Sequence, residues 1–220
     1  MYFIEVSYKV YSTAWHIQKQ LKLLEDCLML SFDTETRSVY PKAEREEAKL
    51  LLKGNNLNRK TKKFLLQVEN SSGLSYPSLV NVTHWILGLS ESEVVILISD
   101  NVTTETLIAN WVVNFKGKLL IHNALFDLKL LYHRTGKFPV DYVDTQLLAK
   151  TFINHVNVWQ AKTSLKELMG EYYPPSWALY NNYEVENLKD PKFLTYCSYD
   201  GSGTFKLYEM LEQHIEDNKQ

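Results

Sequence analysis

The spacing of hydrophobic positions changes repeatedly along the chain, and each change marks an element. Residues 3–10 alternate apolar and polar side chains, which predicts a strand. Ser12 or Thr13 then offers a helix cap, and Ile17, Leu21, Leu23 and Leu24 recur near helical spacing to about residue 26. Residues 27–32 are almost wholly apolar, as in a buried central strand, and run into Asp33-Thr34-Glu35. Good helix formers fill 42–53 and 58–69, separated by Gly54-Asn55-Asn56, and a Ser/Gly/Pro loop follows at 71–77. The runs 83–88 and 94–98 flank Ser90-Glu91-Ser92-Glu93 and predict a hairpin. Helical spacing covers 103–115, a short buried strand 118–122, and a helix opens at Asn123. Residues 140–143 read as a brief strand, with Asp144 placed to cap a helix through Ala149. The last third is helical at 163–171 and from 190 onward, interrupted by Pro174-Pro175. One domain spanning 1–220, with 37–80 as a helical insertion, accounts for this order.

Composition narrows the class. The chain has 220 residues, 45% hydrophobic and 23% charged, enough to bury a substantial core and unlike disordered or collagen-like sequence. Two cysteines, Cys27 and Cys197, exclude a disulfide framework and show no zinc spacing. The start lacks the pattern of a signal peptide, and no apolar run approaches the ~18 residues of a membrane span. The expectation is a reduced, cytoplasmic protein without a membrane partner. A net charge of −2 argues against coating nucleic acid by bulk positive charge. Its distribution changes that picture. Residues 37–63 hold nine basic side chains against three acids, a local +6, which leaves −8 for the rest.

The acids supply the candidate chemistry. Asp33 and Glu35 stand two apart on a strand and therefore face one side. Asp127 lies on the first turn of the helix after strand 118–122. Tyr196 and Asp200 are four apart on the last helix and share a face. Four carboxylates without a cation nearby in sequence call for hard divalent ions, Mg²⁺ or Mn²⁺. Singly the patterns are weak: Asp-x-Glu and Tyr-x-x-x-Asp are each expected by chance roughly 0.6–0.7 times in this composition. Their order and context raise their weight.

Taken together, Phe32-Asp33-Thr34-Glu35-Thr36, His122-Asn123-Ala124-Leu125-Phe126-Asp127 and Tyr196-Cys197-Ser198-Tyr199-Asp200 resemble the three motifs of the DEDD 3′–5′ exonucleases. Tyr196 matches the tyrosine subclass. Asp144–Ala149 and Ser164-Leu165-Lys166-Glu167-Leu168 also look familial. The nearest likeness is to the proofreading exonuclease domain of bacterial and phage family A DNA polymerases, and it covers about 1–36 and 82–212. Two departures stand out: the 37–80 insertion, and Gly201 where the family has Ala.

The resemblance implies an α/β, RNase H-like fold with a mixed five-stranded sheet flanked by helices. It implies two divalent ions, with Asp33 bridging them, Glu35 and Asp200 completing one site, and Asp127 holding the second ion. Tyr196 would orient the attacking water, and the products would be nucleoside 5′-monophosphates. The Thr34 backbone and the Asn123 side chain would lie near the terminal nucleotide, with Val39 and the aromatics of 172–177 packing against the last bases. The expected substrate is a DNA 3′ end, single-stranded or frayed, for a stand-alone enzyme of phage type in the host cytoplasm. No polymerase follows in the sequence, so proofreading would act in trans with a separate polymerase. Two other readings stay open: an exoribonuclease of the RNase D kind, and a non-catalytic nucleic-acid or polymerase-binding module. For the basic arm, 37–63, three roles remain: a solvated helix pair, a grip on phosphate backbone, and a polymerase contact. Asp144 reads as a cap, and His122, His84 and His155 as structural residues, while Tyr180 and Tyr183 sit in a polar loop.

Overall fold

A computed structural model describes residues 3–54, 57–71, 76–153, 162–180 and 187–217. His155, Tyr183 and most of the 71–77 loop lie outside them.

Six strands, β1 (Ser7–Tyr11), β2 (Met29–Ser38), β3 (Val80–Gly88), β4 (Glu93–Ile98), β5 (Lys118–Ile121) and β6 (Tyr142–Asp144), form one mixed sheet in the order β1-β4-β3-β2-β5-β6. That is one strand more than the family likeness implies, and it matches the six strand-like runs in the sequence. The β2–β3–β4 meander is antiparallel, while β1, β5 and β6 add in parallel to β4, β2 and β5.

Both faces of the sheet are covered, which is why its strands read as unbroken apolar runs. Alternation still sorts the side chains. Phe32, Trp85, Leu87, Val95 and Leu97 face the large core built with α1 (Ala14–Leu23), α4 (Val102–Asn114) and α5 (Leu125–Thr135). Ile86, Val94, Ile96 and Ile98 face the long helix α8 (Pro191–Asp217) through Phe193, Leu194 and Cys197. Caps fall where short polar side chains precede helices: Thr13 accepts from the His16 N–H, and Asn101 from that of Thr104. Among the described residues no helix is long and apolar enough to cross a membrane.

β2 is longer than its apolar run. Its polar half, 33–38, stays extended by pairing with β3 from Asp33↔Ile86 to Ser38↔Val80. A bulge lies between Glu35 and Thr36, where the Thr83 hydroxyl donates to the Glu35 carbonyl at 3.1 Å. Bulges commonly re-aim side chains beside functional sites. The helices α2 (Lys42–Leu51) and α3 (Arg59–Glu69) leave from the tip of this ribbon and pack on each other through Ala48, Leu65 and Val68. The remaining helices are α6 (Thr145–Ile153) and α7 (Leu165–Met169), with a 3₁₀ turn at Pro175–Tyr180.

Small residues bring α8 close to the sheet. A Cβ on Gly201 would sit 2.7 Å from Ile86 Cγ2, which explains glycine at this position. Beside it the Ser31 hydroxyl donates to the Gly201 carbonyl at 2.6 Å and accepts from the Gly88 N–H at 3.1 Å. Gly201→Ala is expected to destabilise the protein by about 1–3 kcal/mol, as overpacking of a close contact does. Urea denaturation checks this; an unchanged midpoint would contradict the close fit.

Candidate active site

The parallel strands β2, β5 and β6 end on one side of the sheet, and a cleft of about 590 Å³ opens there. Such strand ends are where open α/β sheets usually bind ligands. Ser31, Asp33 and Glu35 alternate onto the α8 face of β2, so both acids look toward that helix. From α8, Asp200 and Tyr196 project one turn apart into the same cleft. Asp33, Glu35 and Asp200 each offer a carboxylate oxygen, all within 4.8 Å of one another.

Burial raises the proton affinity of all three acids, and like charge adds to it at Asp33 and Glu35. Burial, then Asp127, Glu35 and Asp200, push Asp33 well above the usual carboxylate range. Burial and the Asp200 charge lift Glu35 to about 8. Burial lifts Asp200 to about 6, against the pull of Lys166, Tyr196 and Trp177. Three mutually repelling carboxylates with only oxygen donors fit a hard divalent cation such as Mg²⁺ or Mn²⁺. Among the described residues, Asp33, Glu35 and Asp200 are the ones that would hold it.

Asp127 stands apart from this trio. It is buried, 2% exposed, and accepts from the Thr34 hydroxyl at 2.6 Å, while its charge reaches Asp33. Burial raises it to about 7 despite the Thr34 bond. Thr34, on the opposite face of β2 from Asp33, thus holds Asp127 by its side chain. Asn123 lines the cleft and takes a left-handed backbone, φ 60°, which Asn tolerates better than most residues. Asp144 secures that turn. Its carboxylate accepts from the N–H groups of Asn123 and Ala124 and also from those of Gln146 and Leu147 at the start of α6. Val39 is half-exposed at the end of β2 and is not among the cleft-lining residues.

The Tyr196 hydroxyl lies beside Glu35 and Asp200 and lowers the proton affinity of both, while burial beside these acids keeps it protonated. Lys166, from α7, donates to that hydroxyl at 3.2 Å and lies 4.5 Å from the ring centroid. Sequence spacing had shown no cation beside the acids; α7 brings one across 30 residues. The other signal missed is Trp177, whose Nε1 donates to Asp200 Oδ1 at 2.9 Å. Of the aromatics of 172–177, expected to pack on bases, two are corrected here: Tyr173 and Trp177 are buried against α8, at 0% and 2% exposure, while Tyr172 is only partly buried. His122 is neutral, pushed down to about 4 by burial, and its ring bonds Thr145 and the Thr163 carbonyl. It is a packed residue beside the cleft, as the sequence suggests.

Lys166 lowers the proton affinity of both Glu35 and Asp200. Lys166→Met is therefore expected to cut turnover about tenfold at pH 7 and to move the acid limb of the rate profile to higher pH. Lys166→Arg should restore most of the limb's position. An unshifted limb in the Met variant would contradict a charge role.

No family model matches the chain, and no curated protein matches it. Solved structures do. Brucella melitensis NrnC aligns with 98% of this chain and 84% of its own, at 14% identity and a TM-score of 0.57. Escherichia coli RNase D, an exoribonuclease involved in structured RNA processing, aligns with 96% of this chain and 46% of its own, at 14% identity and a TM-score of 0.59. The EXO domain of Aedes aegypti Nibbler aligns with 99% and 94%, at 13% identity and a TM-score of 0.61. What the chain shares with these structures is the RNase H-like fold.

Proposed function

We propose that this protein is a divalent-metal-dependent 3′–5′ exonuclease that releases nucleoside 5′-monophosphates from single-stranded or frayed ends. The observation that carries the reading is the convergence of Asp33, Glu35 and Asp200 within 4.8 Å at the strand ends, with Tyr196 in the same cleft. The NrnC neighbour has been solved with bound Mg²⁺ and, separately, bound to pGG.

Asp33 would bridge two cations, Glu35 and Asp200 would complete one site, and Asp127 would hold the second. When bound, such ions acidify a water and stabilise the leaving 3′-oxygen. The chain's own residues do the positioning. Tyr196, kept protonated, offers an O–H at the carboxylate edge to orient the attacking water. Trp177 and Lys166 fix the Asp200 carboxylate and the Tyr196 ring. Asn123 and the Thr34 backbone border the place of the terminal nucleotide, and Val39 stands farther out along β2.

The three motifs, by their likeness to polymerase proofreading domains, favour DNA. A second reading, RNA, is favoured by the likeness to RNase D, an exoribonuclease. Matched 3′-labelled DNA and RNA strands, digested with Mg²⁺ and in EDTA, separate the two. Mononucleotide release only with metal, faster from DNA, is expected. Faster RNA decay moves the assignment to the second reading, and absence of metal-dependent release from both strands refutes the exonuclease.

A further inference from the structure

We propose that the α2–α3 arm is a phosphate-backbone track that holds single-stranded nucleic acid a few nucleotides upstream of the 3′ end in the acidic cleft. The inference rests on the exonuclease reading and adds where a longer strand runs.

Placement is the first argument. β5 pairs with β2 only as far as Leu120↔Ser31, so the chain leaves the sheet there at the level of the site. The β2–β3 ribbon continues past it, with Asp33 and Glu35 at its root and the arm at its tip. From Glu35 to Ser38 is about 10 Å at ~3.3 Å per residue. That is about three steps at the ~3.4 Å axial spacing of a stacked strand, and the lysines of the arm lie beyond Ser38, from Lys42 onward. A strand whose last nucleotide sits among the acids therefore meets the arm within a few phosphates, and a dinucleotide does not reach it.

Charge is the second argument. Lys42, Lys49 and Lys53 fall at i, i+7 and i+11, one stripe along α2 and the residues after it, and all are exposed. On α3, Lys60 pairs at i+4 with Phe64, an aromatic ring 53% exposed to solvent. Among the described residues none of these four lysines is in an ion pair. Cations interleaved with an exposed ring suit a backbone that carries bases able to stack. Cations in the cleft would hold only the terminal phosphates, so attraction for a longer strand must come from elsewhere. An acidic protein surface would match the charge but has no reason to sit on the ribbon that carries Asp33 and Glu35.

The test is a fourfold variant, Lys42→Gln, Lys49→Gln, Lys53→Gln and Lys60→Gln, which leaves Ala48, Leu65, Val68 and the Asn58 cap untouched. Circular dichroism verifies its fold. In EDTA, where no turnover occurs, anisotropy of a labelled strand of about 20 nucleotides should show at least a tenfold loss of affinity. The slope of log K against log salt should shrink by about 3, from ~0.7 per charge for single strands. With Mg²⁺, hydrolysis of a dinucleotide should stay within twofold of wild type. An unchanged affinity and slope, or an equal loss on the dinucleotide, overturns the proposal. Failure of the wild type to bind the long strand also overturns it and points to an acidic protein partner. If the wild type binds the strand but hydrolyses nothing, the exonuclease reading fails while the anisotropy still decides the arm.

Discussion

Asp33→Asn is expected to slow strand hydrolysis by at least about 10³-fold while the protein still folds. Asp33 is the acid on which the other three press, and it is the one that would touch both cations. Metal-borne charge stabilisation contributes several kcal/mol to such reactions, and every ~1.4 kcal/mol is a factor of ten. The amide keeps the shape of the carboxyl and removes a charge that the metal-free fold holds at a cost. So the variant in EDTA should melt no lower than wild type at pH 8, yet lose the rise in melting temperature that Mn²⁺ produces. Retained hydrolysis in a clean preparation would sink the enzyme reading and favour a binding module. A large drop in stability would show instead that Asp33 is a structural residue.

Metal, protons and stability should be linked, with a definite sign. Glu35 is lifted to about 8 and Asp127 to about 7, above their ordinary values near 4, because burial and like charge favour the neutral form. The folded chain then binds more protons than the unfolded chain between those values, and stability falls as pH rises through that window. His122 and His84 work oppositely. Burial lowers both, so they bind fewer protons when folded, and their effect is complete once pH exceeds the ordinary histidine value. The clean range is therefore pH 7 to 8.5. In EDTA the melting temperature should fall across it. Mg²⁺ or Mn²⁺ needs the ionised acids, so adding either at pH 7 should release protons and raise the melting temperature. At ~100 times the dissociation constant the gain is about 2.7 kcal/mol. For a chain of this size that is about 5–10 °C. Calorimetry in two buffers of different ionisation enthalpy measures the protons. A metal-free protein that grows more stable from pH 7 to 8.5 would contradict the electrostatics of the cleft.

Much of this site is legible in the sequence because its signals are local. Two residues apart on a strand and four apart on a helix are geometric statements, and Asp33, Glu35, Tyr196 and Asp200 obey them. The Asp144 cap and the helices of the arm are local too. What escapes is what tertiary packing creates. Lys166 reaches Tyr196 only because α7 lies against α8, and nothing in its own neighbourhood marks it. Trp177 carries the composition of a base-stacking residue, but its indole is buried to hold Asp200. The end of β2 is misread for a related reason. Hydrophobicity stops at Phe32, whereas pairing with β3 continues to Ser38 because the polar half borders the cleft and not a core.

The ribbon that carries the arm has one more consequence. Ser38 pairs with Val80, and the Val39 N–H donates to the Leu79 carbonyl, so the arm leaves and returns through adjacent strand positions. Arg134 pins the return by donating to the Pro77 and Val80 carbonyls while paired with Glu105. An insertion closed in this way places little chain-closure cost on the sheet. It behaves as a cassette: residues 40–78 can be exchanged for a tight turn, or for a differently charged helix pair, without moving the register of Asp33 and Glu35. The closure of the arm thus separates whatever the arm binds from the geometry of the acids at the root of the ribbon.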